Sequence, residues 1–331
     1  MTAQASMRAL FVDAPDAPFR SATVARPVPG HGQALVRIQA SGINPLDLKI
    51  RAGAAAHARQ PLPAVLGLDL AGVVEDVGPG VTGLKVGDEV YGMVGGVGGL
   101  QGTLAEFAAV DADLLARKPA SLSMLQAAAL PLVTVTAWEG LVERARVQPG
   151  QSVLVIGAAG GVGHVAVQIA RSLGAEVYGV DRAARGEVLR GLGATPINAD
   201  TDVQAYVAEH GGGRGFDVVY DTVGGAGLDA AFRAVKARGH VVSSLGWGTH
   251  ALAPLSFKSA SYSGVFTLDP LLTGEGRARQ GDILRRAARL ADEGRLTPRL
   301  DPRRFTLESV AEAYDAIGRR TAEGKLVVSI D

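Results

Sequence analysis

Gln151 to Asp181 reads QSVLVIGAAGGVGHVAVQIARSLGAEVYGVD. Ser152–Ile156 is a short apolar, β-branched run and predicts a strand. A glycine cluster follows at once: Gly157, Gly160, Gly161 and Gly163. From Val162 to Leu173 the apolar residues Val162, Val165, Ala166, Ile169, Ala170 and Leu173 recur at helical spacing, and Gly174 stands where a helix is expected to stop. Glu176–Val180 predicts a second strand that ends on Asp181. Strand, glycine turn, helix, strand and acid is the order that a dinucleotide-binding βαβ unit requires. Gly160 lets backbone approach a pyrophosphate, Gly163 lets the helix lie close on the sheet, and the free N–H groups at the helix start attract phosphate. The spacing is Ala158-x-Gly160-x-x-Gly163, so alanine stands where such motifs usually begin with glycine. The acid at Asp181 lies about twenty residues on, where it would meet a ribose hydroxyl.

The same alternation continues downstream. Helical patterns over Arg185–Leu192, Val203–Glu209 and Leu228–Ala237 separate strand patterns at Thr195–Asn198, Phe216–Asp221 and His240–Leu245. Strands alternating with helices predict a parallel sheet covered on both faces, with ligands beyond the strands' carboxyl ends. Asp181, the turn from Asp221 through Val223 to Gly225, and Ser243 to Gly246 lie at those ends. Two further amphipathic helices, Ile283–Ala291 and Val310–Ile317, precede a terminal strand, Lys325–Ile330, which is expected to return to the first domain.

Residues 1 to about 118 read differently. Ala34–Ala40 alternates like a half-buried strand, and strands are predicted at Gly67–Val77, Glu89–Tyr91 and Thr103–Val110, punctuated by glycine turns. This predicts a small barrel or sandwich. After the first of these strands comes SGINPLDLKIRAG, residues 41–53, which gathers Asn44, Asp47, Lys49 and Arg51 within eight residues. Pro45 can open a short helix capped by Asn44. Ser123 and Gln126 have capping-box spacing, so another helix starts near Ser123, and the domain boundary is placed near Lys118-Pro119.

The 331 residues allow two domains with ample core. Lys plus Arg and Asp plus Glu number 33 each, and a neutral chain lacks the electrostatic footprint of a nucleic-acid or anionic-membrane binder. The chain has no cysteine, which excludes disulfides, thiolate chemistry and zinc sites built on sulfur. Its six histidines are scattered, without an HxxxH or HExxH pair, and read as structural. No signal peptide or membrane span is evident, and a cytoplasmic location is expected.

Six motifs together resemble one known family: NPLDLKIRAG (44–53), PAVLGLDLAGVVEDVGPGVTGLKVGDEVYG (63–92), AALPLVTVTAWEGL (128–141), QPGQSVLVIGAAGGVG (148–163), FDVVYDTVGG (216–225) and GKLVVSI (324–330). The chain resembles the medium-chain dehydrogenase/reductase superfamily in its zinc-independent, ζ-crystallin-like quinone oxidoreductase branch. The resemblance covers nearly the whole chain. It implies an α/β fold: a GroES-like β-rich catalytic domain (residues 1–118 with a C-terminal return from about 270 to 331) and an inserted Rossmann domain (119–269), with the active site in the cleft between. Zinc-containing relatives have a catalytic cysteine where Asn44 stands, a histidine near Leu68 and four cysteines near Gly95–Gly102; this chain has none of them.

The resemblance further implies that Asn44 and Asp47 line the cleft with Lys49 close by. It sets Thr136 near the nicotinamide and the pyrophosphate on Gly160, Gly161, Val162 and Gly163. Ser243, Leu245 and Gly246 would flank the nicotinamide, with Phe266 near the substrate. Many relatives carry a tyrosine within the stretch matching Ala54–Gln60; here that stretch has none, so a tyrosine proton donor is not expected. A homodimer is a family expectation.

The expected reaction is hydride transfer from NAD(P)H to a quinone or to the β-carbon of an enone, without zinc. Asn44 would donate a hydrogen bond to the growing oxyanion and Lys49 would supply charge. Asp181 suits a ribose 2′-hydroxyl; against a 2′-phosphate at about 4 Å and an effective dielectric near 20 it costs roughly 4 kcal/mol. Arg182 and Arg185 can offset a comparable amount, and the branch's habit favours NADP(H) over NAD(H). A short-chain dehydrogenase would need Tyr-x-x-x-Lys, which is absent. A non-catalytic NADPH-binding protein, crystallin-like or regulatory, and a zinc-free alcohol dehydrogenase-like enzyme are the alternatives.

Overall fold

A computed structural model describes residues 5–330. The chain forms two compact units. The first holds the residues up to Leu132, Leu268–Gly294 and those from Pro298 onward; the second holds Val133–Thr267 and Arg295–Thr297.

The first unit is built around the strand Gln33–Gly42. It pairs antiparallel with Asp69–Val77 on one side, and on the other with Phe107–Asp111 through its first residues and with Val327–Ser329 through its last. Glu89–Met93 and Leu115–Arg117 extend the sheet beyond Asp69–Val77, and Phe305–Thr306 adds the far edge. A smaller antiparallel sheet pairs Ser6–Val12 with Arg20–Ala25 and with Ala64–Val65. The side chains turned inward, among them Val36, Ile38, Leu66, Leu68, Leu70 and Leu104, are buried in one core. The strand expected from Thr103 begins only at Phe107. Thr103 and Leu104 instead bond backbone to backbone with Gly67 and Leu66.

The unit runs on past Lys118 to Leu132 because a helix packs tightly against its sheet. Met124–Ala128 starts from the Ser123 and Gln126 capping box, with Gln126 N–H donating to Ser123 Oγ and Ser123 N–H to Gln126 Oε1. A Cβ at Gly42 would fall 2.2 Å from the Ala128 carbonyl oxygen, so glycine lets the helix end lie directly on the central strand.

The second unit carries six parallel strands in the order Thr195–Asn198, Glu176–Asp181, Ser152–Ile156, Phe216–Asp221, Val235–Ser243, Ser261–Gly264. Counted along the chain this is order 3-2-1-4-5-6, whose direction reverses between Ser152–Ile156 and Phe216–Asp221. Helices Gly161–Ser172, Gly186–Leu192, Val203–His210 and Ala226–Ala234 supply the crossovers. The helix expected to reach Ala237 stops at Ala234, because Val235 is buried and pairs with Phe216. Sheet pairing overrides the helical propensity of that stretch. The sixth strand, SYSG, was not predicted: four short, mostly small residues carry no periodic signal.

Arg295–Thr297 joins this unit through side chains. Gln168 exchanges two hydrogen bonds with the Thr297 backbone, at 3.1 and 2.8 Å, and Arg295 donates to the Ser172 carbonyl at 2.7 Å. No helix among the described residues is long and apolar enough to cross a membrane.

Candidate active site

In the second unit the glycine turn lies at the reversal of strand order. Gly157 takes φ +77°, and Gly160 N–H closes the turn on the Gly157 carbonyl at 3.0 Å. The positive φ of the tight turn therefore falls on Gly157, one residue before the alanine of the motif. A Cβ at Gly163 would sit 2.1 Å from the Gly157 oxygen and 2.7 Å from Ala158 Cα, so glycine is obligatory for helix to touch turn. Gly160 and Gly161 are exposed and Val162 is half-buried, which leaves the first N–H groups of a twelve-residue helix open to a ligand. Ala158 is fully buried beneath the turn, packed where Gly179 leaves room for it. His164, itself buried, caps the arrangement: its Nδ1 lies 2.9 Å from the Gly160 carbonyl, which can only accept, so Nδ1 carries the proton. These features fit a dinucleotide pyrophosphate.

Asp181 turns back onto this turn. Its Oδ2 accepts from Ala159 N–H at 2.9 Å and its Oδ1 from Arg182 N–H at 2.8 Å. Arg182 is exposed and Arg185 half-buried.

Asp221 and Ser243, read from sequence as cofactor contacts, are fully buried and spend their polar atoms on loops. The Asp221 carboxylate accepts from Val223 and Gly224 N–H, each at 3.0 Å, and from Ser243 Oγ at 2.7 Å. Ser243 Oγ in turn accepts from Leu245 N–H at 3.0 Å. The two loops beyond neighbouring strands are thus clamped together, presenting exposed Val223 and Gly246. Trp247 and Phe266, both partly exposed, meet edge to face with centroids 6.5 Å apart; Trp247 was not singled out from sequence. Thr136 is buried, and its carbonyl accepts from the Tyr220 hydroxyl at 2.8 Å, three residues before a π-helical turn over Glu139–Arg144.

In the first unit Asn44 caps the helix Pro45–Arg51 and is 1% exposed. Asp47 Oδ2 accepts the Asn44 backbone N–H at 2.8 Å, and Asp47 Oδ1 is buried without a partner. Lys49 is exposed on the same helix and does not join Asn44 and Asp47. Two residues that the sequence reading passed over do join them. Asn44 Nδ2 donates to Asp69 Oδ2 at 2.9 Å, and Lys325 Nζ donates to Asn44 Oδ1 at 2.5 Å and to the Ile43 carbonyl at 3.0 Å. Leu132 N–H holds Asp69 Oδ1 at 2.9 Å. Both newcomers were visible as charges inside apolar runs, GLDLAG and GKLVVSI, the pattern of a buried, partnered ion. Burial pushes Asp47 up to about 7 and Asp69 up to about 6, against the pull of Lys325 and the amide donors. Burial lowers Lys325, which the two carboxylates oppose.

Residues 30–120 match the family described as the alcohol dehydrogenase GroES-like domain, and 161–275 the family described as zinc-binding dehydrogenase. A 2-methylene-furan-3-one reductase of Solanum lycopersicum is 36% identical over 89% of this chain and 71% of its own length. The NADPH-dependent alkenal/one oxidoreductase of Arabidopsis thaliana chloroplasts is also 36% identical, over 89% and 72%. Among solved structures, an alcohol dehydrogenase superfamily protein from Novosphingobium aromaticivorans is 58% identical with TM-score 0.97, covering 98% of this chain and all of that one. The chain belongs to the medium-chain dehydrogenase/reductase superfamily. Within that superfamily its donor set sides with the zinc-independent branch. It has no cysteine, Leu68 is a buried aliphatic that cannot ligate a metal, and a lysine ammonium already lies on Asn44. Among the described residues no group of three His, Asp or Glu side chains could hold a metal. The residues present do not fit zinc.

Proposed function

We propose that this chain is an NADPH-dependent reductase that reduces α,β-unsaturated carbonyl compounds at the β-carbon, and quinones, which carry the same conjugated unit, without a metal. The observation that carries the reading is the Gly157–Gly163 cradle, shaped to let a pyrophosphate reach bare backbone at the start of the Gly161–Ser172 helix. When bound, the reduced nicotinamide supplies the hydride.

The chain's own residues hold and orient. Gly160, Gly161, Val162 and Gly163 take the pyrophosphate. Val223, Leu245 and Gly246, on loops fixed by Asp221 and Ser243, shape the nicotinamide's seat, with Thr136 beside it and Phe266 and Trp247 toward the acceptor. Asn44 keeps one amide N–H beyond the one given to Asp69, and this donates to the carbonyl oxygen as negative charge collects there. Water supplies the α-carbon's proton. Lys49, exposed on its helix, is left out of the chemistry and acts at most as distant charge.

NADPH is favoured because Asp181 is already occupied by two backbone N–H groups, while Arg182 and Arg185 follow it. The Arabidopsis relative's NADPH dependence supports the same choice. A second copy of the chain is the expected partner: Ser261–Gly264 is one of the sheet's two edge strands, with Tyr262 40% exposed.

The test is reduction of 2-cyclohexenone and 1,2-naphthoquinone with NADPH deuterated at nicotinamide C4. Deuterium at C3 of cyclohexanone is expected. Cofactor binding without turnover on a broad enone and quinone panel would overturn the reading, and tighter binding of NADH than NADPH would overturn the cofactor choice. Light scattering at the mass of one chain would remove the dimer.

A further inference from the structure

The amide of Asn44 is held at both ends by opposite charges, and the strand register explains why. Val327 pairs with Gly42 and Val328 with Ser41, and Ile43 N–H continues the ladder to the Leu326 carbonyl at 3.0 Å. Two steps further along this antiparallel register, Lys325 falls opposite Asn44. On the other flank of the central strand Asp69 pairs with the same Gly42. Side chains two residues apart share a face, so Asn44 and Lys325 lie on the same face as the Gly42, Val327 and Asp69 row, within reach of one another. The result is an ammonium on Oδ1 at 2.5 Å and a carboxylate on Nδ2 at 2.9 Å, from residues 281 and 25 positions away.

An amide flipped by 180° would set its NH2 against the ammonium and its oxygen against the carboxylate, so only one orientation survives. Each partner is anchored in turn: Lys325 by the Ile43 carbonyl, Asp69 by Leu132 N–H. Asp47 fixes the Asn44 backbone from below. All of these side chains are buried, so water does not loosen the set. One N–H of the amide has no role in this lock, and the lock fixes its direction.

We propose that Lys325 and Asp69 are positioning residues for the reaction, fixing the direction in which the uncommitted N–H of Asn44 points. Lys325 also draws electron density from the amide oxygen and so strengthens that N–H as a donor. The inference rests on the reading that Asn44 donates to the acceptor carbonyl.

The experiment is a double-mutant cycle on the single-turnover rate of NADPH oxidation by 2-cyclohexenone, with Asn44→Ala, Lys325→Met and their combination. Asn44→Ala alone is expected to slow the step by about 100-fold, the scale of losing one oxyanion donor. Lys325→Met is expected to slow it by at least about 10-fold with NADPH affinity unchanged, and to have no further effect in the Asn44→Ala background. Equal slowing by Lys325→Met in both backgrounds, or none in the native background, overturns the lock and leaves the donor role of Asn44 intact. An undiminished rate in Asn44→Ala overturns the donor reading itself, and the lock with it. Because Lys325→Met strips a cation from two buried carboxylates, Asp69→Asn, of the same shape, is run in parallel. It removes the charge that holds the Nδ2 end and so weakens the preference for one amide orientation, and the same cycle with Asn44→Ala applies if the lysine variant does not fold.

Discussion

At position 163 a methyl group would press 2.1 Å from a carbonyl oxygen that has no room to retreat, because Gly157 is itself tied to the Val180 carbonyl at 2.9 Å. Gly163→Ala is therefore expected to destabilise by ~1–3 kcal/mol and to weaken NADPH binding, read by urea unfolding and by titration of NADPH fluorescence. Other single residues act through their protons. Burial raises Asp47 to about 7, above its unfolded value, so the folded chain binds that proton more tightly than the unfolded one. The stability this contributes is full below the unfolded value, near 4, and is lost as pH rises through about 7. Asp47→Asn, which can still accept the Asn44 N–H, should flatten the fall in the urea midpoint between about pH 4 and 7. Asp301 has the opposite sign. Its hydrogen bonds from the Arg303 guanidinium, at 2.7 and 2.8 Å, hold it at about 2. Its contribution is present above about 4 and is lost as pH falls through about 2.

Loops and strands set what those residues can reach. The loops after Phe216–Asp221 and Val235–Ser243 are held together by one buried carboxylate and one hydroxyl, not by contacts between exposed side chains. Asp221→Ala would leave two backbone N–H groups and a hydroxyl without their acceptor in a buried place. It should raise the Kd for NADPH about ten-fold, or ~1.4 kcal/mol, with turnover recovering at saturating cofactor. Ser243→Ala, which breaks only the bridge between the loops, should do less. A Ser243→Ala effect larger than that of Asp221→Ala would show that the hydroxyl touches cofactor rather than shaping the loops. The central strand Gln33–Gly42 plays a comparable part in the first unit, where its register aligns Asp69 and Lys325 on either side of Asn44.

Across the whole molecule, the two units divide the labour and also the spectroscopy. The chain has two tryptophans, Trp138 and Trp247, and both lie in the second unit. Tryptophan fluorescence thus follows the unfolding of the unit expected to bind NADPH. At a hundred times its Kd, NADPH should stabilise that unit by ~2.7 kcal/mol and shift the fluorescence-detected transition upward. A transition unmoved by NADPH would remove the cradle from the function. The fold class, the Gly157–Gly163 turn and most strands of the second unit were legible in sequence. Their signals are local: glycines at fixed offsets, β-branched runs and helical periodicity act through neighbours a few residues away. Asn44 and Asp47 were legible for the same reason, as a cap and its helix. The meeting of Asp69 and Lys325 on Asn44 was not, nor was the burial of Asp221 and Ser243 or the exposure of Lys49. Which charges meet depends on strand register, and register is decided by which strands pair across hundreds of residues, a choice made by the packed core rather than by any short stretch.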